Sequence, residues 1–220
     1  MPSIKRFTII CGHYGCGKTN LSLNLAIDAA RRGEKVTLVD MDIVNPYFRS
    51  SEYLPLLNEY GITMIAPSFA NTTLDTPSLS PEIFRIFDTE DRVIIDAGGD
   101  DVGATALGSF SAKIKQLNYD MLYVINRYRP LASEAETASA ILREIERASR
   151  LSATGIVNNS HLKQYTGPET ILGSMDFARE TAAALNLPLR FTTAPREIAG
   201  QIDIERIYPI DIYVKTPWGS

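Results

Sequence analysis

One stretch, residues 5 to 20, constrains this chain more than any other: Lys-Arg-Phe-Thr-Ile-Ile-Cys-Gly-His-Tyr-Gly-Cys-Gly-Lys-Thr-Asn. Gly12, Gly17, Lys18 and Thr19 satisfy the spacing G-x-x-x-x-G-K-[ST] of a phosphate-binding loop. The apolar run Phe7 to Cys11 reads as a strand, and the Leu- and Ala-rich segment from Lys18 reads as a helix. Glycines let the backbone turn so that successive amide N–H groups converge on an anion, and the helix adds its positive N-terminal end. Lys18 is then placed for the terminal phosphates and the Thr19 hydroxyl for a Mg2+ shell. A chance glycine turn ahead of a helix is the competing reading, and the strand on one side and helix on the other argue against it.

The rest of the chain alternates in the same way. A helix through Arg32, ended by Gly33, leads to a strand from Lys35 to Val39, the βαβ unit of a parallel sheet. Further strands are expected at 62–66, 92–95, 121–125, 154–157 and 189–192, with an edge strand somewhere in 208–214. Helices are expected at 51–60, 82–87, 104–117, 169–185 and beyond a capping box of Ser133 and Glu136. Three prolines, Pro67, Pro77 and Pro81, mark 67–81 as a surface excursion. The pattern predicts a three-layer αβα fold with a mostly parallel central sheet, one nucleotide-binding domain over 1–220, and chemistry along the C-terminal edge of the sheet.

Composition narrows the partners. A net charge of -4 and a pI of about 5.3 argue against a broad nucleic-acid-binding face. The start runs directly into the first strand and no apolar run reaches membrane-spanning length, so a cytoplasmic protein is expected. Cys11 and Cys16 form neither a C-x-C nor a C-x-x-C pair and read as small packing residues.

Three aspartates, Asp40, Asp42 and Asp96, stand just beyond strands. Beside a nucleoside triphosphate such carboxylates are tolerable only with Mg2+ between them; aspartates that merely form turns are the alternative. Asp96-Ala97-Gly98-Gly99 has the D-x-x-G spacing in which a glycine N–H responds to a γ-phosphate; a plain left-handed turn is the alternative there.

Taken in order, Gly12 to Thr19, Asp40-Met41-Asp42, Asp96 to Gly99, Gly155-Ile156-Val157-Asn158-Asn159-Ser160 and Pro195-Arg196-Glu197 resemble the MinD/ParA/nitrogenase-iron-protein group of P-loop ATPases, and in particular the CobQ/CobB/MinD/ParA nucleotide-binding domain proteins. The resemblance implies that Gly12, His13, Tyr14, Gly15, Cys16, Gly17, Lys18, Thr19 and Asn20 wrap the phosphates of ATP or ADP. It implies that Lys18 and Asp42 are catalytic, Asp42 orienting the attacking water, and that Thr19, Asp40, Asp42 and Asp96 surround Mg2+, Asp96 through water. Gly99 would sense the γ-phosphate. Asn159 would meet the adenine edge, with Asn158 as the alternative one residue away, and Pro195, Arg196 and Glu197 would close over adenine and ribose. ATP is preferred to GTP because no N-K-x-D guanine motif is present.

One position departs from the family. Where its loop carries a lysine that reaches across a dimer, this chain has His13, followed by Tyr14 in place of glycine. Substitute for the lysine, contact to a substrate or partner, and ordinary loop residue all stay open for His13. Arg129, on a loop of the same edge, reads either as a substrate or partner contact or as a solvated arginine. The function implied is a slow Mg-ATP-dependent hydrolase acting as a switch on a protein partner or homodimer; an ATP-dependent ligase that activates a carboxylate, and an assembly module with little turnover, are the alternatives. Neither a membrane-binding tail nor a ParA-like DNA surface is indicated.

Overall fold

The computed structural model describes residues 1–41, 53–66, 81–98, 101–162 and 165–214. Eight strands form one sheet: β1 (Phe7–Cys11), β2 (Val36–Met41), β3 (Thr63–Ile65), β4 (Arg92–Ala97), β5 (Tyr119–Ile125), β6 (Gly155–Asn158), β7 (Leu189–Pro195) and β8 (Ile207–Ile210), in the order β3-β2-β4-β1-β5-β6-β7-β8. Every neighbouring pair is parallel. Parallel strands need crossovers and have both faces covered, which is why the central strands read as unbroken apolar runs. β1, β2 and β5 are buried almost throughout.

The helices are α1 (Lys18–Ala30), α2 (Leu54–Glu59), α3 (Asp101–Gly108), α4 (Ser111–Ile114), α5 (Ala135–Ser149), α6 (Pro168–Leu172), α7 (Met175–Leu185) and α8 (Arg196–Ala199). One face of the sheet packs Phe7, Ile9, Val39, Ile95 and Tyr123 against residues of α3, α5 and α7. The other packs Ile10, Leu38, Ile94, Leu122 and Val124 against α1 and against Leu57 of α2. Leu21, Leu23, Leu25 and Ile27 of α1 are all fully buried, and truncating such a leucine to alanine costs about 2–5 kcal/mol. The helix that follows the phosphate loop is thereby clamped to the sheet.

Several expectations are corrected. The helix expected over 104–117 is two, α3 and α4. Gly108 lies so close to α5 that a Cβ there would stand 2.6 Å from the Ala148 carbonyl, and the Gly108 carbonyl accepts a hydrogen bond from Arg150 at 2.6 Å. The helix expected over 169–185 is likewise divided at Gly173 and Ser174. The Ser133–Glu136 capping box does not form: a short 3-10 turn, Pro130–Ala132, precedes α5, Glu134 is its N-cap, and the Ser133 hydroxyl turns back to the Pro130 carbonyl at 3.5 Å. The excursion at 67–80 lies outside the described residues, and 81–87 is a 3-10 helix.

The chain crosses the sheet from β1 to β2, returns to insert β4 between them, and then builds outward from β5. Both neighbours of β1 thus come from later in the sequence. This reversal leaves a crevice at the C-terminal end of β1, where doubly wound sheets bind ligands.

Candidate functional site

The loop after β1 is built by glycines with positive φ: 151° at Gly12, 75° at Gly15 and 92° at Gly17. A side chain at Gly12 would collide with the Val124 carbonyl, and one at Gly17 with the Asn159 amide. The sequence therefore has glycine where backbone passes against backbone or against a buried side chain. Gly17 is the N-cap of α1 and brings no side-chain cap to that terminus. The Lys18 N–H is hydrogen-bonded to the Cys16 thiol, and the other first-turn N–H groups have no intrahelical acceptor.

Lys18 is 7% exposed, and its ammonium donates to the His13 carbonyl at 3.2 Å, folding across the loop it follows. His13 is half-buried and Tyr14 is 57% exposed at the tip. Burial first, and then the Lys18 charge, hold the His13 imidazole below its usual range. His13 is neutral at pH 7 and is no fixed cation. Burial pushes the Cys16 thiol up, so it stays protonated beneath the loop.

On the adjoining strands, Asp40 of β2 and Asp96 of β4 are direct register partners, and Asp96 is also the partner of Ile10 on β1. Both carboxylates are nearly buried, at 7% and 4% exposure. The Asp96 charge is felt at Cys16 within the loop. The partly buried Thr19 opens α1 immediately after Lys18. A hydroxyl and two carboxylates at the rim of an amide-lined cradle suit Mg2+, which uses one or two carboxylates and takes the rest of its shell from water and phosphate. Among the described residues no group of three or more His, Cys, Asp or Glu is placed to hold a metal ion. Asp42 and Gly99 lie outside the described residues.

The two asparagines at the end of β6, Asn158 within it and Asn159 just beyond, separate clearly. Asn159 is fully buried beneath the loop; its Nδ2 donates to the Cys16 carbonyl at 2.7 Å and its Oδ1 accepts from the Thr193 hydroxyl at 2.5 Å. Asn158 is turned toward the start of α7, donating to Ser174 Oγ at 2.9 Å. Pro195 ends β7 with its side chain buried, whereas Arg196 makes a two-point ion pair with Asp211 at 2.8 and 2.9 Å and Glu197 is exposed.

Asn20 uses its side chain elsewhere. Its Nδ2 donates to the Asp211 carbonyl at 3.0 Å and its Oδ1 accepts from the Tyr213 and Val214 N–H groups at 2.8 and 3.2 Å. One and two turns further along α1, Asn24 exchanges two hydrogen bonds with the Asp211 backbone at 2.8 and 2.9 Å, and Asp28 accepts from the Tyr208 hydroxyl at 2.8 Å. A polar stripe at i, i+4 and i+8 thus straps 208–214 onto the helix behind the phosphate loop. Nothing in the opening motif signals this role. The spacing of Asn20, Asn24 and Asp28 in an otherwise apolar helix is the trace it leaves. Thr193, the second partner of Asn159, is also unmarked by any motif.

A family model described as the CobQ/CobB/MinD/ParA nucleotide binding domain matches residues 7–165. No curated protein matches the sequence significantly. Among solved structures, the cell division protein FtsY of Thermotoga maritima aligns with a TM-score of 0.52 at 21% identity over 88% of this chain and 63% of its own. Chloroplast FtsY of Physcomitrella patens gives 0.56 at 16% identity, over 86% and 59%. The signal recognition particle 54 kDa protein of Aeropyrum pernix, solved with GDP, gives 0.55 at 18% identity, over 87% and 42%. The chain thus spans less than two thirds of these proteins, and at such identities the likeness is one of fold.

Proposed function

Since the chain belongs to the CobQ/CobB/MinD/ParA nucleotide-binding domain family, we propose that this P-loop NTPase, a single domain over 1–220, binds and slowly hydrolyses Mg-ATP as a switch on a protein partner. The observation that carries the reading is the convergence of the glycine cradle, Lys18 and the register-paired Asp40 and Asp96 at one end of three adjacent strands. The cradle amides and Lys18 take the phosphates. Thr19, Asp40 and Asp96, with Asp42 next in sequence after β2, would hold Mg2+, which when bound would neutralise the charge of the phosphate oxygens. Asp42 orients the attacking water.

Base selection rests on Asn159. Its bond to Cys16 uses one of two amide hydrogens, and the family resemblance assigns the base edge to this residue. Three residues on, where an N-K-x-D motif counted from Asn159 carries its carboxylate, stands Leu162, which favours adenine. Pro195, Arg196 and Glu197 flank the base and ribose. A partner is supported by the apolar side chains on the loops of this edge: Tyr14, Leu131 and Tyr165 are 57%, 68% and 79% exposed. Among the described residues no helix is long and apolar enough to cross a membrane.

The test compares fluorescent ATP and GTP analogues with and without Mg2+, and then phosphate release by wild type, Lys18→Ala and Asp42→Ala. Tighter Mg-ATP binding, lost in Lys18→Ala, with slow release lost in Asp42→Ala, is expected. Preference for GTP would overturn the base assignment, and equal release by wild type and Asp42→Ala would overturn the catalytic one. Release that appears only with a small carboxylic acid would replace the switch by a ligase.

A further inference from the structure

Arg129 lies on the turn between β5 and α5, and the role just proposed leaves it unused. Its side chain lies beside the phosphate loop at Gly15: a Cβ built there would stand 3.7 Å from Arg129 Nε and 3.8 Å from its Cδ and Cζ. Its charge also reaches Cys16 within the loop. Among the described residues the guanidinium makes no hydrogen bond or ion pair, so all five of its N–H donors remain for a ligand.

The turn that carries it is held firmly. Asn126 is 2% exposed and receives the Tyr128 N–H on its Oδ1 at 3.0 Å and the Arg129 N–H on its carbonyl at 3.2 Å. The Arg127 N–H donates to Ser160 Oγ at 2.9 Å, and the Tyr128 hydroxyl to the Thr170 carbonyl at 2.6 Å. These bonds fix the backbone of 126–129 to the loop after β6 and to α6, so Arg129 is presented to the phosphate loop by a preorganised frame.

Facing it, His13 is neutral and Lys18 is the remaining cation of the loop. From this position beside Gly15, a guanidinium has the reach to meet the outermost phosphate of a nucleoside triphosphate seated on the loop amides, where its planar fork suits phosphate oxygens. Resting on the nucleotide-binding reading above, we propose that Arg129 is a specificity-determining residue, supplied by the same chain, that pairs with the terminal phosphate and so makes this site favour nucleoside triphosphate over diphosphate without a cation from a second subunit.

The experiment measures dissociation constants of N-methylanthraniloyl-AMP-PNP and N-methylanthraniloyl-ADP, with Mg2+, for wild type, Arg129→Ala, Arg129→Lys and Arg127→Ala at dilute protein concentration. Arg129→Ala weakens the triphosphate analogue about ten- to a hundred-fold, the range for one charge-assisted hydrogen-bonded contact, and changes ADP by less than about three-fold. Arg129→Lys falls between, because an ammonium keeps the charge but not the fork. Arg127→Ala, which removes the same charge from an exposed position on the same turn, leaves the ratio unchanged. Circular dichroism of Arg129→Ala checks that the fold is intact, as expected for an exposed side chain. An unchanged triphosphate-to-diphosphate ratio in Arg129→Ala, equal loss of both ligands, or the same loss in Arg127→Ala overturns the proposal while leaving nucleotide binding standing. Failure of wild type to bind either nucleotide overturns both.

Discussion

Replacing Asn159 by alanine removes the side chain that ties the phosphate loop to Thr193 of β7. Asn159, Thr193 and Cys16 are all at 1% exposure or less, so neither partner can turn to bulk water when the amide is gone. The Cys16 carbonyl loses a 2.7 Å bond and the Thr193 hydroxyl a 2.5 Å bond. A buried polar group left without its partner costs about 1–3 kcal/mol; the Thr193 hydroxyl keeps a longer bond to the Asn158 carbonyl at 3.5 Å, so the pair together costs somewhat less than two full penalties, about 2–5 kcal/mol. With a urea m-value of about 3 kcal/mol per M for a chain of this size, the midpoint falls by about 0.7–1.7 M. Asn159→Asp separates shape from chemistry: the residue keeps its size and its Thr193 partner but sets a carboxylate oxygen against the Cys16 carbonyl, and the loss should be at least as large. Thr193→Val removes the second bond together with the hydroxyl's longer one to the Asn158 carbonyl, and in a double-mutant cycle with Asn159→Ala it should show a coupling of about 1 kcal/mol. Urea denaturation followed by far-ultraviolet circular dichroism, with nucleotide binding measured in parallel, provides the readout. A midpoint within about 0.2 M of wild type, together with unaltered nucleotide affinity, would refute the claim that Asn159 anchors the loop.

Three further outcomes follow from the geometry. Gly12→Ala combines a φ of 151° with a Cβ directed at the Val124 carbonyl and 3.0 Å from Cys16 Sγ; backbone strain alone costs about 1–3 kcal/mol, and thermal melting should show the loss without any ligand. At the opposite edge of the sheet, burial of Asp120 raises its carboxyl pKa. Hydrogen bonds from the Lys5 N–H, Thr154 and Arg190 outweigh that and leave the pKa below the ordinary carboxylate value. The unfolded chain therefore takes the proton first, so the stabilisation is complete above about pH 5 and disappears as pH falls through the folded pKa. Acid titration of stability in Asp120→Asn should lack this increment. His13 is held low by burial and by Lys18, and a triphosphate acts on it in the opposite sense. Nucleotide binding should therefore take up a proton and tighten as pH falls through the bound-state pKa. Calorimetry in buffers of differing ionisation enthalpy would detect the proton, and His13→Gln should abolish it.

What the sequence revealed depended on how local the cause was. The loop, its strand and its helix are set by residues within a few positions of one another, and all three stand where the spacing of Gly12, Gly17 and Lys18 puts them. Strand order was legible only as far as alternation implies parallel crossovers; the side-by-side placement of Asp40 and Asp96 is a matter of register between strands more than 50 residues apart. The division of α3 from α4 was hidden because it comes from a contact between Gly108 and α5. The capping box failed for a similar reason: Pro130 opens a 3-10 turn that claims the Ser133 hydroxyl before α5 begins. Asn158 and Asn159 are chemically identical neighbours on a strand end, so only the direction of the strand decides which one faces the loop. Arg129 could be placed at the right edge of the sheet, but its contact with Gly15 depends on how the 126–129 turn is pinned.

The strap on α1 bears on how the protein is made. Asn20 and Asn24 leave the ribosome 187 to 194 residues ahead of the backbone groups they bind. Until 208–214 arrives, a nascent chain can collapse α1 onto the sheet by its leucines, yet the polar stripe must remain hydrated. Closure of the phosphate-binding helix is therefore timed to late translation, and a chain stalled before residue 208 would carry its loop sequence without the brace behind it.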